Sequence, residues 1–242
     1  TRELEGEAHP LLAAAVRIPG VQGPEDEAGL RQFRATYYGM MSEVDAQVGR
    51  LFDGLRERGV LDDTLVVLTS DHGEQLGDHW LTEKLGWFDQ SYHIPLIVRD
   101  PRSEADATRG RLVADKFTEN VDVMPTILEW LGLPVPIQCD GRSLLGVLAG
   151  ESPESWRTAA HWEWEFRDPI GRFAEHALGL SMDQCALAVL RDERGKYVHF
   201  TGLPPIFYDL EHDPEELENR AGDPAYAATV LDYAQRMLSL RM

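Results

Sequence analysis

The stretch from Thr64 to Lys84 reads TLVVLTSDHGEQLGDHWLTEK and constrains the chain more than any other. Its first six residues carry no polar face. That pattern predicts a strand covered on both sides, as in a parallel sheet, rather than one with a wet face. The apolar run stops at Ser70-Asp71-His72-Gly73. Ionisable side chains at the carboxyl end of a buried strand sit where open α/β sheets place their ligands. Asp71 and His72 offer one hard oxygen and one imidazole nitrogen, a donor pair suited to a divalent cation. Gly73 allows the backbone to turn away from them. Taken alone the pair is a weak signal, because Asp often ends a strand by bonding into the next turn and a His is often only a satisfied polar group. The residues that follow shift the balance. Glu74, Gly77, Asp78, His79 and Lys84 gather polar and flexible positions after the strand. A site for a doubly anionic ester needs a metal, a cation and adaptable backbone close together.

The rest of the chain supports a layered α/β reading. From about Glu27, Phe33, Tyr37, Met40, Met41, Val44, Val48, Leu51, Phe52 and Leu55 recur at helical intervals, and Gly59 supplies a stop. Tyr37, Tyr38, Met40 and Met41 are expected in the core. A helix, a tight link at Leu61-Asp62-Asp63 and a buried strand make half of a right-handed parallel crossover. Ile94 to Val98 predicts a second strand, with His93 before it expected to serve packing, and Leu112 to Phe117 an extended edge segment. Asp122 is the expected N-cap of a helix closed by Gly132 and Pro134. Beyond Ser155 the texture turns to β, with short strands at 159–164, 185–191, 197–200 and 206–210. A hairpin is expected at Asp192-Glu193-Arg194-Gly195. A final amphipathic helix over 225–240 buries Val230, Leu231, Tyr233, Ala234, Met237 and Leu238. His161, Trp162 and Trp164 fit an alternating strand with one packed face better than an aromatic pocket.

Composition narrows the classes. The net charge of −19, from 23 basic and 42 acidic residues, argues against a nucleic-acid surface. An anionic substrate must then be drawn by local cations and not by the overall field. No apolar run approaches the ~20 residues needed to cross a bilayer, so no membrane partner is expected. Cys139 and Cys185 are too few for a disulfide framework, which suits a reducing, cytoplasmic address.

The sequence also resembles a known family. SDHGEQLGDH followed by Lys84, and FDQSYHIPLIVRDP at 88–101, are similar to the sulfatase branch of the alkaline-phosphatase superfamily, most of all to bacterial phosphonate monoester hydrolases. Leu30 to Phe52, Asn120 to Pro134, GRSLL at 141–145 and YDLEHDPEELEN at 208–219 resemble further family segments in the family's order. The resemblance implies a sulfatase-like α/β sheet with flanking helices, plus a small C-terminal antiparallel sheet and helix. Residues 1–150 would be the later half of the α/β domain, and 151–242 an α+β subdomain. It implies a metal-dependent hydrolase of phosphonate monoesters, phosphodiesters or sulfate esters, acting on a small-molecule anionic ester. Asp71 and His72 would be two ligands of one divalent ion, with Mn²⁺ favoured and Ca²⁺ or Zn²⁺ allowed. Lys84, twelve residues after His72, matches the family lysine that contacts the substrate's anionic oxygens. The family nucleophile is a formylglycine made from the cysteine of a C-x-P-S-R motif. Neither Cys139 nor Cys185 stands in that context, so the formylglycine is expected in an earlier half outside this chain, and the full-length protein is expected to be a homo-oligomer. The rival readings are an arylsulfatase or other sulfuric-ester hydrolase, and a non-catalytic scaffold that kept the fold.

Overall fold

The computed structural model describes residues 8–18, 20–84, 86–168 and 170–240. In chain order the principal elements are α1 (Pro10–Ala15), α2 (Glu27–Glu57), β1 (Val66–Thr69), α3 (Asp89–Tyr92), β2 (Leu96–Arg99), α4 (Val123–Trp130), α5 (Leu145–Leu148), β3 (Ala160–Glu165), α6 (Phe173–Leu178), β4 (Ala186–Arg191), β5 (Gly195–Phe200), β6 (Ile206–Asp209) and α7 (Ala227–Leu240). They fall into two compact units, one of Thr1–Gly23, Gly77–Tyr92 and Thr158–Met242, the other of Pro24–Leu76 and His93–Arg157. No helix among the described residues is long and apolar enough to cross a membrane. Both cysteines carry free thiols.

The first unit is built on a four-stranded antiparallel sheet in the order β3-β4-β5-β6. Trp162 faces Val189, Val189 faces Val198 and Val198 faces Ile206 across the ladders. Period-two alternation therefore sends Leu187, Val189, Val198, Phe200, Ile206 and Tyr208 to one face, where Leu11, Leu81, Trp87 and Phe88 complete a buried cluster. Ala188, Leu190, Tyr197 and Phe207 take the opposite face beneath Tyr233 and Met237 of α7. The predicted hairpin forms, its turn closed by the amides of Arg194 and Gly195 on Asp192 Oδ1 at 2.9 and 3.0 Å. Gly195 is required there because a Cβ would come within 2.8 Å of the Phe207 ring. The expected burial of Leu231 and Leu238 is corrected: both are exposed, since the sheet contacts a narrower stripe of α7 than its apolar pattern offers.

The second unit departs further from expectation. Asp26 caps α2 by accepting from Gly29 N at 2.7 Å, and the 31-residue helix ends before Gly59, which takes a positive φ of 67°. Yet α2 buries no residue, and Tyr38, Met40 and Met41, expected in the core, are exposed. Strand β1 is not sandwiched in a parallel sheet. It pairs antiparallel with β2, Val67 opposite Val98 and Leu68 opposite Ile97, and Ile97 is 61% exposed. An apolar run reports that both of its faces need cover; it does not report that the cover lies in the same stretch of chain. His93 is exposed and does not take the packing role expected of it, and Leu112–Phe117, expected as an extended edge segment, forms no strand.

Candidate active site

The end of β1 is held by a short helical turn, Asn120–Asp122, that leads into α4. Asn120 Nδ2 donates to Ser70 O at 2.8 Å, and Thr69 Oγ1 donates to Asn120 Oδ1 at 3.1 Å. Asn120 therefore fixes the last strand residue and the first loop residue together. The turn is itself anchored by Asp122, fully buried, whose carboxylate accepts from Glu119 N at 2.9 Å, from Arg142 N at 2.8 Å and from both terminal nitrogens of Arg157. A Cβ on Gly141 would sit 1.9 Å from the Val121 carbonyl oxygen, so only glycine lets GRSLL approach this closely. Leu144 N then donates to Thr126 Oγ1 at 2.9 Å. Asp122 stands at the N-cap position of α4, as expected, but its side chain makes no capping bond there and acts instead as this buried hub.

On that scaffold Asp71 and His72 are brought together. Asp71 Oδ1 accepts from His72 N at 3.0 Å, and Ser70 Oγ donates to His72 O at 2.6 Å. His72 Nδ1 lies 2.7 Å from Gly73 O. A carbonyl can only accept, so Nδ1 is the donor there, and any metal coordination by this ring would fall to Nε2. That nitrogen stands 3.5 Å from Asp71 Oδ2. Two ligands each ~2.1 Å from one ion at a near-tetrahedral angle stand about 3.4 Å apart. A His that donates one ring N–H to a backbone carbonyl and coordinates through the other nitrogen is the usual metal-binding arrangement. The Asp71 side chain is 85% exposed and that of His72 28%. The pair fits a divalent cation as two of its ligands. Among the described residues no group of three or more His, Cys, Asp or Glu could hold an ion.

Lys84 belongs to the other unit, on the segment Gly77–Tyr92, where it is exposed in a turn. Asp78 opens a short helical turn on the same segment. His79 is buried, its ring stacked on Phe88 at 3.6 Å between centroids and 7° between planes. Burial lowers its pKa to about 4, with Asp78 and Asp213 acting the other way and Lys196 reinforcing the effect. The expected strand face is borne out, Trp162 and Trp164 packing on the core. Sequence reasoning missed Asn120, whose only signal was a polar residue opening the quoted helix segment NVDVMPTILEWLGLP.

Comparisons with known proteins agree with these features. The family described as Sulfatase matches residues 7–133, and the one described as N-sulphoglucosamine sulphohydrolase, C-terminal, matches residues 77–242. The chain is 52% identical over 217 residues to the multifunctional alkaline phosphatase superfamily protein PehA of Trinickia caryophylli, covering 90% of this chain and 42% of that protein. It is 29% identical to an arylsulfatase of Clostridium perfringens, again over 90% of this chain and 42% of the relative. The phosphonate monoester hydrolase of Agrobacterium radiobacter superposes with a TM-score of 0.89 at 48% identity, covering all of this chain and 49% of that one. The phosphonate monoester hydrolase SpPMH from Silicibacter pomeroyi gives 0.90 at 37% identity with the same coverage. The chain thus spans about two-fifths of the length of these curated relatives.

Proposed function

The chain belongs to the sulfatase family, and from that premise we propose that it forms part of a metal-dependent hydrolase of phosphonate monoesters, phosphodiesters or sulfate esters. The observation that carries this reading is the Asp71–His72 donor pair, with Nε2 3.5 Å from a carboxylate oxygen and Nδ1 turned to Gly73 O at 2.7 Å. Asp71 and His72 would hold the cation, whose imidazole ligand favours Mn²⁺ or Zn²⁺ over Ca²⁺. When bound, a divalent cation polarises the ester's non-bridging oxygens and lowers the pKa of a coordinated hydroxyl. Asn120 and Ser70 hold the backbone of the loop that carries both donors. Lys84 is assigned to the substrate's anionic oxygens, where an ammonium offsets charge that grows toward the transition state. The nucleophile is assigned to a formylglycine contributed from outside these residues.

The order within the substrate list rests on the phosphonate monoester hydrolases matched at 48% and 37% identity. The arylsulfatase relative favours the second reading, a sulfuric-ester hydrolase with the same donors. Rates on a phenyl phosphonate monoester and an aryl sulfate separate the two, and a sulfate preference of ~10³ or more would overturn our order. In the full-length protein Asp71→Asn is expected to lose bound metal, read by elemental analysis, and at least ~10²-fold in kcat. Should metal content and turnover both survive, the fold-retaining scaffold reading would replace ours.

A further inference from the structure

The segment that bears Lys84 is bent where regular structure would be straight. Gly77 and Gly86 take φ of 96° and 93°, and between them His79, Trp80 and Glu83 take 50°, 63° and 67°. Three non-glycine residues in the left-handed region within five positions form a costly local conformation, on the order of 1–3 kcal/mol for each. It persists only where the surroundings impose it. On the near side of Lys84 the imposition is backbone pairing: Gly23 N donates to Trp80 O and Thr82 N to Val21 O, both at 2.8 Å. On the far side it is a buried charge cluster.

Lys196 on β5 is the centre of that cluster. It alternates with Val198 and Phe200, so it faces the same sheet surface as the Trp87–Phe88 core, and it is 0% exposed. Its Nζ donates to Trp87 O at 3.1 Å and to Asp89 Oδ1 at 2.5 Å, pairs with Glu216, and lies 5.7 Å from the centre of the Trp162 ring. Glu216 Oε2 in turn accepts from Asp89 N at 3.1 Å, and Arg191 donates to Asp89 Oδ2 at 3.2 Å. Burial pushes the Glu216 carboxyl up, with Lys196 pulling it back down. Two cations and two anions are thus spent on three to five residues just after Lys84. Apolar side chains would fill such a volume with no desolvation cost, whereas an ion cluster specifies one backbone position.

We infer that Lys196 is a positioning residue for the proposed hydrolysis, fixing the Lys84 turn through Trp87 O and Asp89. The inference rests on the reading of Lys84 as the cation that meets the ester. A double-mutant cycle in the full-length protein tests it, with Lys84→Gln, Lys196→Gln and the double variant assayed on a phenyl phosphonate monoester and an aryl sulfate. Lys84→Gln is expected to lower kcat/KM about 10²-fold. Lys196→Gln is expected to lower it about tenfold by displacing the turn, and to have no further effect, within about twofold, once Lys84 is gone. Amide exchange in Lys196→Gln should rise within residues 77–92 while β4 keeps its protection. If the two losses multiply, or Lys196→Gln is silent beside a damaging Lys84→Gln, Lys196 only stabilises the core and the inference falls. A silent Lys84→Gln would overturn the active-site reading itself. Should Lys196→Gln not accumulate as folded protein, Asp89→Asn, which keeps the shape and removes the charge Lys196 grips, takes its place in the cycle under the same criteria.

Discussion

The two units use the same apolar vocabulary to different ends. In the first, Val189, Val198 and Ile206 are fully buried between α1, the Trp87–Phe88 segment and neighbouring strands. In the second, Leu51 on α2 stays 62% exposed and Ile97 on β2 61%. The first unit closes its own core. The second is held by polar anchors: Asp122 with Arg157, and Asp100, which accepts from Arg102 and from Trp130 Nε1 at 3.0 Å. An apolar stripe therefore identifies a surface that needs cover, and the exposure it keeps in the folded chain tells which unit has found it.

The sharpest way to break this contrast is to remove an anchor from the second unit. Arg157→Met leaves the Asp122 carboxylate buried without its cation, and breaking a buried pair in this way costs about 3–5 kcal/mol. Urea unfolding followed by tryptophan fluorescence checks it, since Trp156 Nε1 donates to Phe117 O in this unit at 2.8 Å. A loss under about 1 kcal/mol, the range of ordinary surface changes, would mean that apolar contacts and not anchors hold the unit.

The matching probe of the first unit is pH. Burial holds His79 at about 4 when folded, against 6.5 for the free side chain. Between these values the unfolded chain binds more protons, so stability rises with pH across that window. The contribution is complete above pH 6.5 and is lost as pH falls to 4, amounting to ~3 kcal/mol. His79→Asn suits the positive φ at this position and does not titrate. It is expected to flatten the slope between pH 4 and 6.5 relative to the parent protein; equal slopes would show that the imidazole is solvated. A smaller effect, about 1–2 kcal/mol, is expected for Tyr233→Phe, which leaves Asp192 without one of its donors while keeping the ring packed on Phe207.

The sequence was most legible where pattern and partner lie in the same unit. Strands β3 to β6, their hairpin and α7 follow from alternation, Gly195 and helical spacing, because each strand pairs with the next in the chain. Asp71 and His72 were legible as a pair because adjacency in sequence guarantees proximity. Strand β1 was misjudged for the converse reason: a run such as VVLT records how many faces are apolar but not the direction of its neighbour. Asn120 lies fifty residues from Ser70, and Lys196 more than a hundred from Trp87 and Asp89. No local periodicity encodes such encounters. A lysine in a strand reads as a solvent-facing residue until its neighbours across the fold are known.

The smallest effect separates the units most cleanly. Leu51→Ala removes a side chain already in contact with water, so unfolding of the 242-residue chain should change by less than ~0.5 kcal/mol. Truncating a buried leucine costs about 2–5 kcal/mol, the range expected of Leu190 beneath α7. If Leu51→Ala cost as much in this chain, its face of α2 would have to be covered in solution by another copy. Sedimentation at two concentrations would then detect association that the variant abolishes. A negligible cost in this chain beside a cost above ~2 kcal/mol in the full-length protein would locate the cover in the remainder of that protein. In that case the exposed stripe of α2 is an internal face of the complete fold, and the contrast between the units reflects where the covering residues lie, not how well each is built.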